Sequence, residues 1–450
     1  MKKLGLITDD MTGTMTCGVL LAKAGIQACS YFSPGNLIGA EDQEAVIISA
    51  NSRNLPPEQA KENVRQAYRA LLKQGAAYFT KRIDTTFRGG IGYEVDALLE
   101  EMQEDTVAVM AAAMPDTHRV VVGGYSIIDG VILTETGAAR DVLSPVSQPH
   151  IPTLMRSQSQ NQVEEIHMDS VLAGKAVLKE ALSAAKSAGG KILVVDALTA
   201  EHLRTVACAV KELGWNVLCV DPGAFSQQLA LCRGFGNPDR IPKHPDSSSD
   251  LKSFSGKVIV VAGSATDVTR RQIGLLSSES GAESVSVDAS VLIRRDERAQ
   301  EEINRAISRG KNGIEKADCK ALIFETAVSG KKLVLKEEEE RLGLEKGEAS
   351  RNINTALGEI VNSIVNMPSM KDQFNGLYMT GGDTLVAVLQ ATGAAGIRLI
   401  DTVIPQTNLG IIIGGTLDGS CIVGKGGMIG KDDTALAAVN RLFFESSRRK

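Results

Sequence analysis

Short apolar runs alternate with segments of helical periodicity along the first half of the chain. The runs have the length of strands, and the segments between them repeat apolar residues at the spacing of a helix with one buried face. We predict strands over Leu4–Thr8, Ala45–Ala50, Ala77–Thr80, Val107–Ala113, Ile192–Val195 and Trp215–Val220, and helices over Thr14–Lys23, Pro57–Lys73, Tyr93–Met102 and Ala200–Leu213. This alternation is typical of a mainly parallel sheet covered by helices.

A change of composition divides the chain. The stretch from Gly234 to Gly256 holds three prolines, three glycines and a run of serines, which is typical of a linker. A second α/β pattern follows, with predicted strands over Val258–Ala262, Ala321–Phe324, Leu377–Met379, Ile397–Ile400 and Gly410–Ile413. Because 450 residues exceed one ordinary core, we predict two α/β domains, residues 1–240 and 257–450, with a linker over 241–256.

Composition narrows the range of functions. Hydrophobic residues make up 43% of the chain and the mean hydropathy is −0.02, so we expect a globular protein. The net charge is −5 without a basic stripe, and no apolar run reaches the ~18 residues of a membrane span, so neither nucleic acid nor a membrane is an expected partner. The first residues lack the apolar run of a signal peptide, and the seven cysteines lack C-x-x-C spacing. We therefore expect a cytoplasmic protein with buried free thiols and no zinc.

The main candidate for chemistry is a glycine pair, Gly381 and Gly382, between a predicted strand and a predicted helix. Glycines let backbone N–H groups approach a ligand, and a helix N-terminus presents such groups to a phosphate. Asp383 would hold Mg²⁺ on that phosphate, and Thr384 would cap the helix. The alternative is an ordinary turn in which Asp383 or Thr384 is only a helix cap.

Two further turns of the second domain repeat this order. Ser264 follows a predicted strand and precedes a helix, and Lys425 is followed by Gly426 and Gly427. The second turn has a glycine in place of the Walker hydroxyl and a strand before it, so we exclude a Walker-type loop. These four residues are candidate ligands of the same phosphates, although a plain helix cap also explains the first turn.

In the first domain, Asp9 and Asp10 follow the first predicted strand, at the edge where open α/β sheets bind ligands. A helix cap explains one of these carboxylates but not both. Arg53 follows the strand Ala45–Ala50 in the same way, and there an ordinary loop explains the arginine equally well.

The densest polar run begins at the end of the strand Ala77–Thr80. It supplies three cations with a carboxylate and two hydroxyls between them: Lys81, Arg82, Asp84, Thr85, Thr86 and Arg88. An arginine fork suits an anionic substrate, and Asp84 would accept a hydroxyl proton. A surface loop with a local Asp84–Arg88 ion pair is the alternative.

The candidate motifs occur in order along nearly the whole chain. They are Asp9-Asp10-Met-Thr-Gly13, Lys81-x-x-Asp84-x-Thr-x-Arg88-Gly89, Pro115-x-x-x-Arg119, Gly130-x-x-Leu-x-x-Thr136-x-x-x-x-Asp141, Gly263-Ser264, Thr380-Gly-Gly-Asp-Thr384 and Lys425-Gly-Gly-Met-Ile-Gly430. Together they resemble the four-carbon acid sugar kinase family. The resemblance implies a sugar-acid domain, a nucleotide domain and an active site in the cleft between them. By this resemblance Asp10, Arg53 and the 81–88 loop would face the sugar acid, and Ser264, Gly381–Thr384 and Gly427 would hold ATP.

Three positions depart from the family pattern. Thr16 stands where a further Asp is usual, Gly90 where Asn is common, and Gln406 where Gly usually follows the proline. The first two belong to the substrate side and the third to the nucleotide side.

The sequence therefore predicts a kinase that moves the γ-phosphoryl group of ATP, with Mg²⁺, to a hydroxyl of a small sugar acid such as threonate, erythronate or a 3-oxo-tetronate. Arg53 and Arg88 would hold the substrate carboxylate, and Asp84 or Asp10 would orient or deprotonate the hydroxyl. A nucleotide-binding regulatory protein without turnover is the alternative. An NAD-dependent oxidoreductase is disfavoured because G-x-G-x-x-G is missing. A homodimer remains an open alternative to a monomer.

Overall fold

A computed structural model describes residues 2–141, 144–241, 254–326, 328, 333–370 and 373–449. The chain divides into two compact units, Met1–Pro242 and Lys243–Lys450. The predicted linker over 241–256 falls mostly outside the described residues, so its bounds stay a prediction.

The first unit is built on a parallel sheet. Its strands are β1 (Lys3–Thr8), β2 (Ala28–Tyr31), β3 (Ala45–Ser49), β4 (Ala76–Arg82), β5 (Val107–Met110), β6 (Arg119–Val122), β7 (Tyr125–Ile128), β8 (Val131–Ile132), β9 (Val163–Ile166), β10 (Ile192–Val195) and β11 (Val217–Asp221). Within the described residues the parallel strands follow the order β2-β3-β1-β4-β11-β5-β10-β9, and β6, β7 and β8 form a separate antiparallel sheet.

Helices cover this sheet. They are α1 (Met11–Lys23), α2 (Pro57–Lys73), α3 (Ile91–Glu101), α4 (Ile151–Gln158), α5 (Met168–Leu172), α6 (Lys175–Ser187), α7 (Ala200–Leu213) and α8 (Ala224–Cys232). One core cluster joins Leu6 of β1 to Leu21 of α1, and another joins Val109 of β5 to Leu203 of α7. Apolar side chains of the strands and of one face of each helix thus meet, as the sequence periodicity predicts.

The second unit has a mixed sheet. Its elements are β12 (Lys257–Ala262), α9 (Asp267–Ser277), β13 (Ala282–Ser286), α10 (Ala289–Leu292), α11 (Glu297–Ile314), β14 (Ala321–Glu325), α12 (Leu335–Leu342), α13 (Glu348–Val365), β15 (Phe374–Thr380), α14 (Gly382–Ala391), β16 (Gly396–Ile404), β17 (Thr407–Ile413), β18 (Cys421–Lys425) and α15 (Thr434–Ser447). Among these strands the order is β13-β14-β12-β15-β18-β17-β16, and β17 pairs antiparallel with both of its neighbours. The predicted class, two mainly parallel α/β domains, is confirmed.

Several elements differ from the sequence-based expectation. The strand predicted over Val107–Ala113 ends at Met110, although the three alanines after it are also buried. The sequence pattern missed β13 because this edge strand buries little besides Val285. No helix within the described part of the chain is long and apolar enough to cross a membrane.

The hairpin between β16 and β17 explains one departure from the family pattern. Pro405 and Gln406 form its turn, and Gln406 has a φ of 63°, in the left-handed region. Proline at the first central position and a positive φ at the second are the marks of a type II turn, which favours glycine at the second position. The family glycine is therefore a turn residue, and Gln406 adopts its conformation at some cost in strain.

Candidate active site

Three adjacent strands of the first unit end level with one another. In the sheet register Thr8 of β1 lies beside Ser49 of β3 and beside Arg82 of β4. The segments that follow these strands therefore leave the sheet at the same carboxyl edge. This register brings the aspartates after β1, the arginine after β3 and the loop after β4 together.

Asp9 and Asp10 both contact Arg53. The Nε atom of Arg53 lies 2.7 Å from Oδ2 of Asp9, and its Nη1 atom lies 2.8 Å from Oδ2 of Asp10. Asp10 also caps α1, because its Oδ1 accepts a hydrogen bond of 2.7 Å from the backbone N–H of Gly13. The cap that the sequence alternative proposed is thus present, and the same carboxylate belongs to the ion cluster as well.

Arg82 supports this pair from within the sheet. Its Nη1 atom lies 3.1 Å from Asp9 and 3.3 Å from Asp10, and its Nε donates to the carbonyl of Pro222 at 3.4 Å. The Arg82 side chain is only 5% exposed, so these ion pairs are shielded from solvent.

Asp84 is held by the loop that follows β4. Arg88 folds back on it, with Nε at 2.7 Å from Oδ2 and Nη2 at 3.2 Å from Oδ1. The hydroxyl of Thr86 donates to the same carboxylate. Phe87 makes the turn possible by adopting a φ of 58° with its ring buried.

The Asp84–Arg88 pair is therefore real, and it does not stand alone on the surface. Nη2 of Arg53 lies 3.7 Å from Asp84, and Nη1 of Arg88 lies 3.0 Å from Asp141. The result is one connected ion cluster of aspartates and arginines at the sheet edge, which we call the acid-site cluster: Asp9, Asp10, Arg53, Arg82, Asp84, Arg88 and Asp141.

The carboxyl groups of this cluster differ in proton affinity. Burial raises the pKa of Asp84, but the hydrogen bond from Arg88 and the charge of Arg53 outweigh that effect and hold the pKa well below its ordinary value. At Asp9, burial raises the pKa, but the charges of Arg53 and Arg82 outweigh burial and lower it. At Asp10, burial and the negative charge of Asp9 outweigh the same arginines, so the pKa of Asp10 is raised. Asp10 is also more exposed, 26% against 7% for Asp84.

Lys81 does not join the exposed part of this cluster. Its side chain is 1% exposed, and its Nζ lies 2.6 Å from Oε2 of Glu94 on α3. The sequence prediction that Lys81 contacts the substrate must allow for a charge that Glu94 already neutralises. Thr85 lies half-buried in the same loop, and the departing residue Thr16 donates to the carbonyl of Thr12 within α1.

The three glycine turns of the second unit also meet. Ala262 of β12 lies beside Thr380 of β15, which lies beside Lys425 of β18, so the turns leave one sheet edge at the same level. The N–H of Gly381 donates to the carbonyl of Lys425 at 3.0 Å. The carbonyl of Gly427 accepts from the hydroxyls of two threonines on the first turn and α9, at 2.6 and 2.9 Å.

Glycine is required where these turns touch. A Cβ atom on Gly427 would lie 2.1 Å from Oγ of Ser264, and one on Gly263 would lie 2.1 Å from Oγ1 of Thr384. Gly381 has a φ of 108°, which side chains rarely allow. The three turns therefore form one compact backbone surface, which we call the glycine cradle: residues 263–266, 381–384 and 425–427.

The start of α14 has no side-chain cap. Its N-cap is Gly381, without a side-chain hydrogen bond, so the predictions that Asp383 or Thr384 caps the helix are wrong. Thr384 is buried in the first turn and donates its hydroxyl to Oδ1 of Asn354 on α13, at 2.7 Å. The first N–H groups of an uncapped helix are unsatisfied donors, which suits an anion.

Two charged residues neighbour the start of α14: Asp383 belongs to it, and the backbone carbonyl of Lys425 accepts from Gly381. Asp383 is exposed at the first turn of α14, and Lys425 is 5% exposed at the end of β18. Burial lowers the pKa of Lys425 to about 8, and its Nζ donates to the carbonyl of Gly426 at 3.0 Å. Within the described residues no group of three or more metal-ligating side chains occurs, so any metal at Asp383 would need oxygen ligands from elsewhere.

Some residues of the site gave little sequence signal. Asn354 is distant in sequence from the residue that it binds, and Glu94 looks like one more polar position of a helix. Thr266 and Thr269 follow Ser264 closely; Thr266 supplies the α9 cap, and both hold Gly427. A pair of hydroxyl residues three positions apart at a helix start was the available sequence signal for them.

Comparison with known proteins identifies the family. Residues 4–229 match the family described as "Sugar-binding N-terminal domain", and residues 259–435 match "Nucleotide-binding C-terminal domain". A D-erythronate kinase from Heliobacterium modesticaldum is 33% identical over 450 residues, which cover 99% of this chain and 98% of that protein. The chain belongs to the four-carbon acid sugar kinase family. A second family member, a D-threonate kinase from Salmonella typhimurium, is 28% identical and covers 97% of each chain.

A solved structure agrees on the fold of this kinase family. The crystal structure of Haemophilus influenzae protein HI1011 superposes with a TM-score of 0.74 over 99% of each chain, at 21% sequence identity. At that identity the likeness concerns the fold alone. The two family models and the relative at 33% identity confirm the resemblance stated from the motifs.

Proposed function

We propose that this kinase transfers the γ-phosphoryl group of ATP to a hydroxyl of a four-carbon sugar acid of the erythronate, threonate or 3-oxo-tetronate type. The single observation that carries the proposal is that each half of the chain has one cluster of polar groups suited to its substrate: the acid-site cluster, with three arginines and four aspartates, in the half matching a sugar-binding domain, and the glycine cradle in the half matching a nucleotide-binding domain. Relatives named as kinases of these acids support the substrate class.

The glycine cradle suits a polyphosphate. The uncapped N-terminus of α14 offers backbone donors, and the helix dipole adds a partial positive charge there. Lys425 supplies a cation to the cradle, and within the described residues burial, with no charged partner, accounts for its lowered pKa. Gly381, Gly382, Gly426 and Gly427 keep side chains away, so phosphate oxygens would reach the main chain.

Magnesium fits the same place. Mg²⁺ in kinases is usually bound through one or two carboxylates together with substrate phosphates, and Asp383 is an exposed carboxylate in the first turn of α14. When bound, the ion would neutralise charge on the phosphates. Asp383 would hold it, with the remaining ligands supplied by ATP and water.

The acid-site cluster suits a carboxylate bearing hydroxyl groups. Arg53 and Arg88 are the cations of the cluster with the most solvent access, 13% and 28% exposed. Nη2 of Arg53 lies 3.7 Å from Asp84, beyond hydrogen-bond reach, so this donor is available for a substrate oxygen. Thr85, Thr86 and the carboxylates beside them offer partners for the substrate hydroxyls.

We assign the proton acceptor to Asp10 and an orienting role to Asp84. A base near neutral pH needs an elevated pKa and room for the hydroxyl, and Asp10 has both the raised pKa and the greater exposure. Asp84 accepts hydrogen bonds from Arg88 at both oxygens, and these bonds help to keep the pKa of Asp84 low. A low pKa favours a fixed negative charge over proton transfer. Phosphoryl transfer depends mainly on positioning, so loss of either carboxylate should matter.

The test is turnover with a panel of sugar acids. ADP release is measured with D-erythronate, D-threonate and a 3-oxo-tetronate, with Mg·ATP alone as the blank, and ³¹P NMR identifies a phosphate ester as the product. We expect acid-dependent ADP release with at least one member and an ester signal to match. ATP binding without turnover on any acid would overturn the proposal in favour of a nucleotide-binding regulatory protein.

A further inference from the structure

The cysteines of the first unit contain one pair of thiols in direct contact. Sγ of Cys208 on α7 lies 2.8 Å from Sγ of Cys232, the last residue of α8. The two positions are 24 residues apart in the chain, and both are half-buried, whereas Cys17, Cys29 and Cys219 are buried. The sequence gave no sign of this pair because the spacing matches no redox or metal motif.

We propose that Cys208 and Cys232 form a reversible disulfide that joins α7 to α8. A disulfide requires its sulfurs at about 2 Å, and the facing thiols need to move toward each other by less than one ångström. Both helices pack on the same core cluster through neighbours such as Val206 and Leu229, so the backbone already holds the sulfurs in place.

The chemistry balances with a hydroperoxide as oxidant. One thiolate attacks the peroxide, whose O–O bond breaks to leave a sulfenic acid, and the second thiolate then displaces hydroxide from that sulfur to form the S–S bond. With hydrogen peroxide, two thiols lose two protons and two electrons, and two water molecules result. A dithiol returns the pair to its reduced state.

The surroundings of Cys232 slow the oxidation of the pair. Burial, together with the hydrogen bond from Cys208, raises the pKa of Cys232 to about 12, while the charges of Arg204 and Lys211 act in the opposite direction. Little thiolate of Cys232 exists at neutral pH, so we expect this sulfur to react slowly. Once formed, the bond would enclose β11 and the turn at Pro222, whose carbonyl accepts from Arg82 of the acid-site cluster.

The experiment uses the full chain, reduced, freed of dithiol and exposed to hydrogen peroxide at neutral pH. We expect an intact-mass loss of two hydrogens, a Cys208–Cys232 cross-linked peptide after digestion, and a melting temperature about 5 °C higher that falls again with dithiothreitol. Cys208→Ser and Cys232→Ser should each abolish the cross-link and the shift. Cys319→Ala, which removes a buried thiol of the second unit, should leave both intact.

Two results would overturn the proposal. One is a peroxide-treated protein in which all seven thiols still react after denaturation, or in which only oxygen adducts appear. The other is a mass loss that persists in Cys208→Ser. Neither readout depends on kinase turnover, so this proposal and the proposed function fail separately.

Discussion

Gly13 and Arg82 lie in direct contact: a Cβ atom on Gly13 would be 1.9 Å from Nη1 of Arg82 and 2.7 Å from Oδ1 of Asp10. Glycine inside a helix is usually a weak point, and replacing it by alanine stabilises a helix by roughly 0.5–1 kcal/mol. Here the missing side chain makes room for the guanidinium that neutralises Asp9 and Asp10.

We therefore expect Gly13→Ala to destabilise the protein. The methyl group displaces Arg82 and leaves Asp9 and Asp10 with Arg53 as their remaining cation, so the free energy of unfolding should fall by about 1–3 kcal/mol, measured by urea denaturation. Gly274→Ala is the matched control, because this glycine of α9 has open space around its Cβ direction and should gain stability. Equal stabilisation of both variants would contradict the contact.

The variants of the two candidate aspartates should differ in turnover and in how turnover depends on pH. Asp84→Asn should lower kcat by at least roughly tenfold with the Kd for ATP nearly unchanged. Asp10→Asn should lower kcat further, by about 10²–10⁴-fold. A base must be deprotonated to act, so wild-type turnover should fall as pH drops through the raised pKa of Asp10, and this acid limb should persist in Asp84→Asn.

The control for this pair is ATP binding by calorimetry, which neither substitution should alter. If Asp10→Asn kept the acid limb and most of the turnover, Asp10 would not be the proton acceptor. A full-activity Asp84→Asn enzyme would remove Asp84 from the mechanism.

Lys425 should make ATP binding depend on pH. Burial places its pKa at about 8, below the ordinary value, so the amine loses its proton as pH rises through 8. Phosphate binds the protonated form, so the fraction competent to bind falls from about nine-tenths at pH 7 to about one-tenth at pH 9, and the Kd should rise about tenfold.

Two variants check this assignment by calorimetry. Lys425→Arg keeps its charge over this range and should bind ATP with little pH dependence, and Lys425→Met should bind weakly at every pH. A tenfold rise that survived in Lys425→Met would place the titrating group elsewhere.

Gln406 offers a stabilising substitution. Its φ of 63° strains a residue with a Cβ atom, whereas glycine adopts this conformation freely. We expect Gln406→Gly to raise the free energy of unfolding by roughly 0.5–1 kcal/mol, seen as a higher melting temperature. Gln406→Ala retains the strain and should give no gain; an equal gain from alanine would show that the side chain, and not the backbone, is at fault.

Sequence reasoning could predict which candidate residues cluster because these residues follow strand ends. Asp9 directly follows β1, Gly381 directly follows β15, and Asp84 stands two residues after β4. Within each unit, neighbouring parallel strands bring such residues to one edge of the sheet. Which strand ends lie level depends on the strand register. The register is set by long-range strand pairing, which no local sequence pattern encodes.

Side-chain direction was the second limit. Neighbouring residues of a strand point to opposite faces, so Arg82 reaches Asp9 while Lys81 turns to Glu94 on α3. The sequence shows the alternation but not which face holds the ligand. The prediction that Thr384 caps α14 was wrong for a related reason. Its position suits a helix cap, but its hydroxyl donates to Asn354 on the neighbouring helix α13.

The two more exposed arginines of the acid-site cluster already form ion pairs within the protein. Arg53 forms ion pairs with Asp9 and Asp10, and Arg88 forms ion pairs with Asp84 and Asp141. Under the proposed function, Nη2 of Arg53 would be available to a substrate carboxylate, and every further arginine donor would have to be shared with an aspartate that already accepts from it. A sugar acid would then bind better than a simple carboxylate only if its hydroxyl groups form hydrogen bonds with the aspartates whose arginine contacts it replaces.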